Sequence, residues 1–123
     1  WLDSAVLDFP LLVNNELGRL GFPTIFSGPA VTVGGWLVGV GLDERSPMEA
    51  ADNAGEREVF LTHGKEDARV SIVHAERFES RMLENGGNVE TWYVDDRAHV
   101  DAMWGNSDEY RSNLISFFNE SLR

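Results

Sequence analysis

The chain has 123 residues, enough for one small domain, and its 42% hydrophobic and 11% aromatic content suits a packed core rather than a disordered segment. Ten Lys and Arg against 21 Asp and Glu give a formal charge of −11, which argues against a nucleic-acid groove or an anionic membrane surface as partner, because phosphates would be repelled. There is no cysteine, so neither a disulfide framework nor a thiolate metal site is available.

In chain order, Trp1 to Asp8 reads as the end of a strand running into a loop. Pro10 to Leu20 places Leu11, Leu12, Val13, Leu17 and Leu20 at roughly helical spacing, and Gly21-Phe22-Pro23 closes it. Gly28 to Leu42 is uncharged and rich in glycine, yet short of the roughly 20 apolar residues a membrane span needs, so a buried or lid segment is expected. Asp43 to Arg57 is polar and reads as a connecting loop or one short helix.

Glu58 to Thr62 is a β-rich run and ends in His63-Gly64, which predicts a strand. Val70 to Asn85 predicts a helix with Ile72, Val73, Ala75, Phe78 and Met82 on its inner stripe and Gly86-Gly87 as a left-handed stop. Val89 to Val94 predicts the next strand, with Trp92 and Tyr93 favouring sheet. Ser107 offers an N-cap to a last helix, Asp108 and Glu109 complement its dipole, and Tyr110, Leu114, Phe117, Phe118 and Leu122 form its apolar face.

The back half thus reads strand–helix–strand–helix, which implies a parallel pair joined by a right-handed crossover. Two full strands make a poor sheet by themselves, so the chain reads as part of a larger α/β sheet with an open edge. The fold class expected is α/β, with residues 1–57 holding a strand end, a lid and a connector, and residues 58–123 the strand-helix-strand-helix unit.

Two short stretches carry chemistry. Leu61-Thr62-His63-Gly64-Lys65-Glu66-Asp67 ends a strand and offers an acid in the following loop. Val94-Asp95-Asp96-Arg97-Ala98-His99-Val100 ends the next strand and offers a histidine. Together they resemble the C-terminal half of an α/β-hydrolase, the first the family's His-Gly-x-x-Asp with its triad acid, the second the loop of the triad histidine. Leu2-Asp3-Ser4-Ala5-Val6-Leu7-Asp8-Phe9 is similar to the segment after the family's sixth strand, and Arg45-Ser46-Pro47-Met48-Glu49-Ala50-Ala51 to the stretch before its seventh. Asp67 and His99 lie 32 residues apart, room for one helix and one strand, in the family's order of nucleophile, acid, histidine.

The resemblance implies a serine carboxylesterase or related acyl hydrolase with Asp67 orienting His99, and Glu66 as the rival acid. It implies no cofactor, an ester or other acyl substrate and a variable lid at Gly28 to Leu42. No spacing of His or paired carboxylates demands a metal, and a cytoplasmic location is expected. His63 is expected to pack and bond locally, and His74 to sit on the helix surface. Asp95, Asp96 and Asp101 are expected to be solvated acids and not a cation site.

The sequence departs from the family by Ala98 where Gly often precedes the histidine and by Ser71 where Pro often stands. The larger departure is that no Gly-x-Ser-x-Gly elbow precedes Asp67: Ser4, Ser27 and Ser46 lack the flanking glycines, and Ser107 follows the histidine. The nucleophile is therefore expected upstream, and turnover by this chain alone is not expected. An Asp or Cys nucleophile there would equally suit the acid and histidine. The alternative is a non-catalytic half-domain that assembles through its open sheet edge with a second copy or a separate N-terminal half, helped by apolar residues such as Trp36 and Leu37.

Overall fold

A computed structural model describes residues 1–41 and 47–123. Leu42 of the expected lid, Asp43 and Glu44 of the connector, and Arg45 and Ser46 of the motif before the second strand lie outside the described residues.

Three strands form one parallel sheet in the order β1-β2-β3: β1 Leu2–Asp3, β2 Glu58–Gly64 and β3 Asn88–Val94. Leu2 pairs with Leu61 and Asp3 with Thr62, while β2 and β3 pair residue for residue from Glu58 with Asn88 to Gly64 with Val94. The sequence signalled β2 and β3, and both run slightly longer than expected. β1 is two residues long and exists only because β2 supplies its hydrogen bonds.

Helices cover both faces of the sheet. On one, α4 (Val73–Glu84) sets Ala75, Phe78 and Met82 against β2 and β3, and α3 (Met48–Asp52) packs beside it. Leu7, Ala51, Ala54, Leu61, Phe78 and Met82 make a single core cluster there, so residues from both halves of the chain close one interior. The helix stops where Gly86 adopts φ 71°, the left-handed stop the sequence offered. On the other face, α6 (Ser107–Ser121) packs Phe117 against Phe60, and Trp1 stacks on Phe60 with centroids 4.3 Å apart.

Several expectations are corrected. Helix α4 begins at Val73 rather than Val70, and Val73 is exposed rather than part of the inner stripe. His74 is fully buried rather than on the surface, because it shares a face with Phe78 one helical turn on. Its Nδ1 accepts the Asp8 backbone N–H at 3.2 Å, a partner 66 residues away that no local pattern reveals. Ser107 is the first residue of α6 and Asn106 takes the cap position without a side-chain bond, so the acids Asp108 and Glu109 remain to favour the helix start. The face expected on α6 is buried only at Phe117, whereas Phe118 is 44% and Leu122 80% exposed.

The front of the chain is a pair of helices. Asp8 caps α1 (Phe9–Arg19) by accepting the Leu11 N–H at 2.9 Å, and its second oxygen pairs with Arg77 of α4 at 3.0 Å. A single 3-10 turn, Thr24–Phe26, leads into α2 (Ser27–Val38), which packs on α1. The glycine-rich run is thus helical as far as Val38, with Gly39 at φ 71° as its left-handed stop. In this helix Val31 and Gly35, one turn apart, are buried and most other residues are exposed, so of the two expectations, a buried segment or a lid, burial does not hold over most of its length. No helix among the described residues is long and apolar enough to cross a membrane. A further short helix not anticipated from sequence, α5 (Ala102–Gly105), follows the third strand's loop.

Candidate active site

Parallel strands send their following loops to the same end of the sheet. Residues 4–8, 65–72 and 95–101 therefore meet beyond the carboxyl ends of β1, β2 and β3, where open α/β sheets collect their functional groups.

Asp67 sits at the first tight turn after β2, its side chain fully buried. One oxygen, Oδ1, accepts the backbone N–H groups of Arg69 at 2.8 Å and Val70 at 2.9 Å. The other, Oδ2, faces His99 Nδ1 at 2.8 Å. Two backbone donors to one oxygen fix the carboxylate plane and leave the other oxygen to the histidine. A carboxylate that only accepts places the histidine proton on Nδ1 and leaves Nε2 free as a base. Glu66 is exposed and takes no part in this pair; its backbone N–H donates to Arg97 O at 2.9 Å.

Gly64 makes the junction possible. A Cβ there would collide with the backbone carbonyls of Arg97 and Ala98, so the histidine loop lies directly over the glycine. The His-Gly pair of the motif thus works by close approach. Around it, Lys65 N–H donates to Val94 O at 2.9 Å, and the Lys65 ammonium meets Asp95 at 2.7 Å on the exposed rim.

His63 is buried, as expected, and bonds locally: Nε2 lies 2.8 Å from Val70 O. Since a carbonyl only accepts, Nε2 carries the proton, and the same N–H lies 3.4 Å from Asp67 Oδ2. His63 therefore backs the acid from below, while its Nδ1 has no partner among the described residues. Burial pushes the His74 imidazole below its ordinary value, with further depression from His63 and Arg77 and opposing contributions from Asp8 and Asp67. Asp95, Asp96 and Asp101 do not converge, and among the described residues no His, Asp and Glu group could hold a metal ion.

His99 is half-buried, 29% of its side chain remaining accessible. It lines an open cleft of about 520 Å³ with Val6, Leu12 and Val70 as apolar wall and Glu16, Arg19 and Arg69 as charged rim. Arg19 is bound to Glu16 at 2.6 Å across that rim. Helix α1 thus supplies one side of the histidine's cleft, a role that its spacing alone did not signal.

Sequence reasoning missed two groups at this end of the sheet. Arg97 donates from Nε to Asn106 Oδ1 at 2.6 Å and from Nη2 to Gly105 O at 3.2 Å, tying the histidine loop to α5 and α6. Ser4, dismissed because it lacks an elbow's glycines, is buried and accepts the Val100 N–H at 3.1 Å. Neither residue type carries a signal of its own, since both partners are remote or follow a bend.

A parallel sheet with helices on both faces, and an acid and a histidine meeting beyond adjacent strands, is an α/β-hydrolase arrangement. The chain belongs to the prolyl oligopeptidase family, whose sequence profile matches residues 33–123. Its fold is similar to a solved structure of an esterase from Pyrococcus furiosus, with a TM-score of 0.66 at 17% identity over 99% of this chain and 45% of that one. The chain thus spans less than half the length of that esterase. Among curated proteins none matches it.

Proposed function

We propose that this chain is the C-terminal portion of a serine hydrolase acting on ester or other acyl substrates, and that it supplies the acid Asp67 and the histidine His99. The observation that carries this is the 2.8 Å contact between His99 Nδ1 and the buried Asp67 Oδ2. In that reading the free Nε2 takes the proton of a nucleophile as it attacks the acyl carbon. The ionised Asp67, fixed by two backbone donors, stabilises the imidazolium that forms. Nε2 then returns the proton to the leaving group, and the cycle repeats with water. None of these steps asks for a metal or cofactor.

The nucleophile lies outside these residues in this reading, because no Gly-x-Ser-x-Gly sequence occurs here. Residues 58–123 then hold both triad members, and residues 1–57 the strand beside them, one cleft wall and the lid.

In the complete enzyme, His99→Ala and Asp67→Asn each remove turnover while leaving the fold, and the pure chain hydrolyses no p-nitrophenyl ester. Full activity in either variant, or clear turnover by the pure chain, overturns the assignment.

The second reading is a non-catalytic half that assembles with a second copy. It draws support from the open edges of β1 and β3 and from Trp36 and Leu37, which are 81% and 71% exposed. Light scattering at micromolar concentration separates the two, since a monomer excludes the second.

A further inference from the structure

Ser4 ends β1 in an unusual state. It is only 4% exposed and adopts φ 47°, the left-handed region that a residue with a side chain enters at a cost. Its backbone N–H donates to Thr62 O at 3.0 Å, continuing the β1–β2 ladder one residue further. Its hydroxyl is used in both directions. The hydroxyl donates to Asp3 Oδ1 at 3.0 Å and accepts the Val100 N–H at 3.1 Å, a contact across 96 residues.

Val100 is the residue directly after His99, and it too is left-handed, at φ 56°. For a β-branched side chain this conformation is a true outlier, and it persists only where surrounding contacts impose it. The Ser4 hydroxyl is such a contact, placed on the very amide whose direction φ sets. On the other side of His99, Arg97 O accepts the Glu66 N–H and lies against Gly64. The histidine is therefore held between two clamps, one from the β2 loop and one from Ser4.

The Ser4 clamp is itself aimed. Asp3 Oδ2 accepts the Tyr110 hydroxyl at 3.0 Å, and the Tyr110 oxygen accepts Trp1 Nε1–H at 3.2 Å. Trp1 in turn stacks on Phe60 of β2. The carboxylate so fixed draws the Ser4 proton to itself and turns an oxygen lone pair to Val100. Bonds in such a chain polarise one another, and the ionised end strengthens them. The same geometry rules Ser4 out as the attacking group, because the hydroxyl is buried and its proton goes to Asp3.

We propose that Ser4 is a positioning residue for His99: through the Val100 amide it holds the histidine loop in the conformation that lays Nδ1 on Asp67. The inference rests on the Asp67–His99 pair and adds what keeps that pair aligned. Ser4 touches neither substrate nor reacting atoms.

The test is nuclear magnetic resonance on the complete protein with labelled histidine, reading the three histidines of this chain. Ser4→Gly removes the hydroxyl while easing the left-handed backbone, so the substitution spares the fold; Ser4→Ala serves as the second variant. The readout is solvent exchange of the His99 Nδ1–H, with the His63 and His74 imidazole signals as internal controls. The expected result in both variants is His99 exchange faster by about fivefold, the consequence of losing one net hydrogen bond, with the two controls unchanged. Unaltered His99 exchange overturns the proposal. So does loss of all three signals together in both variants, which would make Ser4 a residue of the fold at large. A wild-type chain with no protected His99 Nδ1–H would overturn the Asp67 pairing itself and this inference with it, a failure distinct from the first.

Discussion

The two ends of this chain treat apolar and polar groups in opposite ways. At the carboxyl ends of β2 and β3 the loops are joined by many directed bonds: Asp67 accepts two amides and pairs with an imidazole, Arg97 bonds side chain and backbone, and Gly64 lets the loops touch. In the α1–α2 pair, Trp36, Leu37, Val33 and Val38 face outward, and α2 is fastened through Val31 and Gly35. Precise placement of two side chains requires many directed contacts, each fixing one orientation. A helix such as α2, joined through two buried residues, keeps most of its apolar surface outward. The lesson is that hydrogen-bond density, not hydrophobic content, separates the part that fixes side-chain orientations from the part that does not.

Substitution at the bonded end has the largest expected effect. In the complete enzyme, Asp67→Asn leaves the geometry but donates where it must accept, and turnover is expected to fall about 10⁴-fold. Single-turnover kinetics on an activated ester checks it, and a loss below tenfold would break the assignment of the acid.

Next is Gly64→Ala. Its methyl group would press on two backbone carbonyls that cannot swing aside, so a destabilisation of about 1–3 kcal/mol or more is expected from urea unfolding. Ala at Gly28, where a Cβ meets nothing, should leave the unfolding midpoint nearly unchanged and so mark the contrast within one experiment.

The third concerns His74, whose folded value lies below the ordinary 6.5 because burial disfavours its charged form. A lowered folded value means the unfolded chain binds more protons as pH falls through that of free imidazole. The His74 contribution is therefore intact above neutral pH and is lost as pH drops below about 6.5, until the buried ring itself protonates. His74→Gln should flatten the part of the acid-side stability slope that this ring supplies. An identical slope from pH 7.5 to 5.5 in both proteins would show that the ring is not held neutral.

The smallest effect is expected on α2. Trp36→Ser should change stability by no more than about 0.5 kcal/mol, since the side chain packs on little. The same change should lower binding of an apolar fluorescent dye. A large stability loss would mean that α2 belongs to the core after all.

These contrasts track what could be read in advance. The His-Gly-x-x-Asp run and the later histidine were legible because each closes a strand whose β-rich composition is a local property. Helix α4 was legible for the same reason, its stripe and its Gly86 stop lying within one short stretch. The burial of His74 was not, because the spacing that puts it beside Phe78 is equally that of a boundary position, and its Asp8 partner is remote in sequence. Nor was the exposure of α2, since an uncharged run says that a segment avoids charge, not which layer covers it. Ser4 carries no sign of this role beyond its place in the Leu2–Phe9 segment and its lack of elbow glycines, because its partner Val100 becomes its neighbour only when β1 joins β2.

By itself the sequence determined the alternation of strands and helices in the back half, the order of acid and histidine, and the absence of an elbow serine, all of which depend on local spacing. Only the tertiary structure decided that β1 is two residues long and pairs with β2, that Asp67 rather than Glu66 meets His99, and that the Ser4 hydroxyl meets the Val100 amide. Those outcomes rest on hydrogen bonds between groups tens of residues apart, whose formation depends on chain crossings that no local pattern encodes.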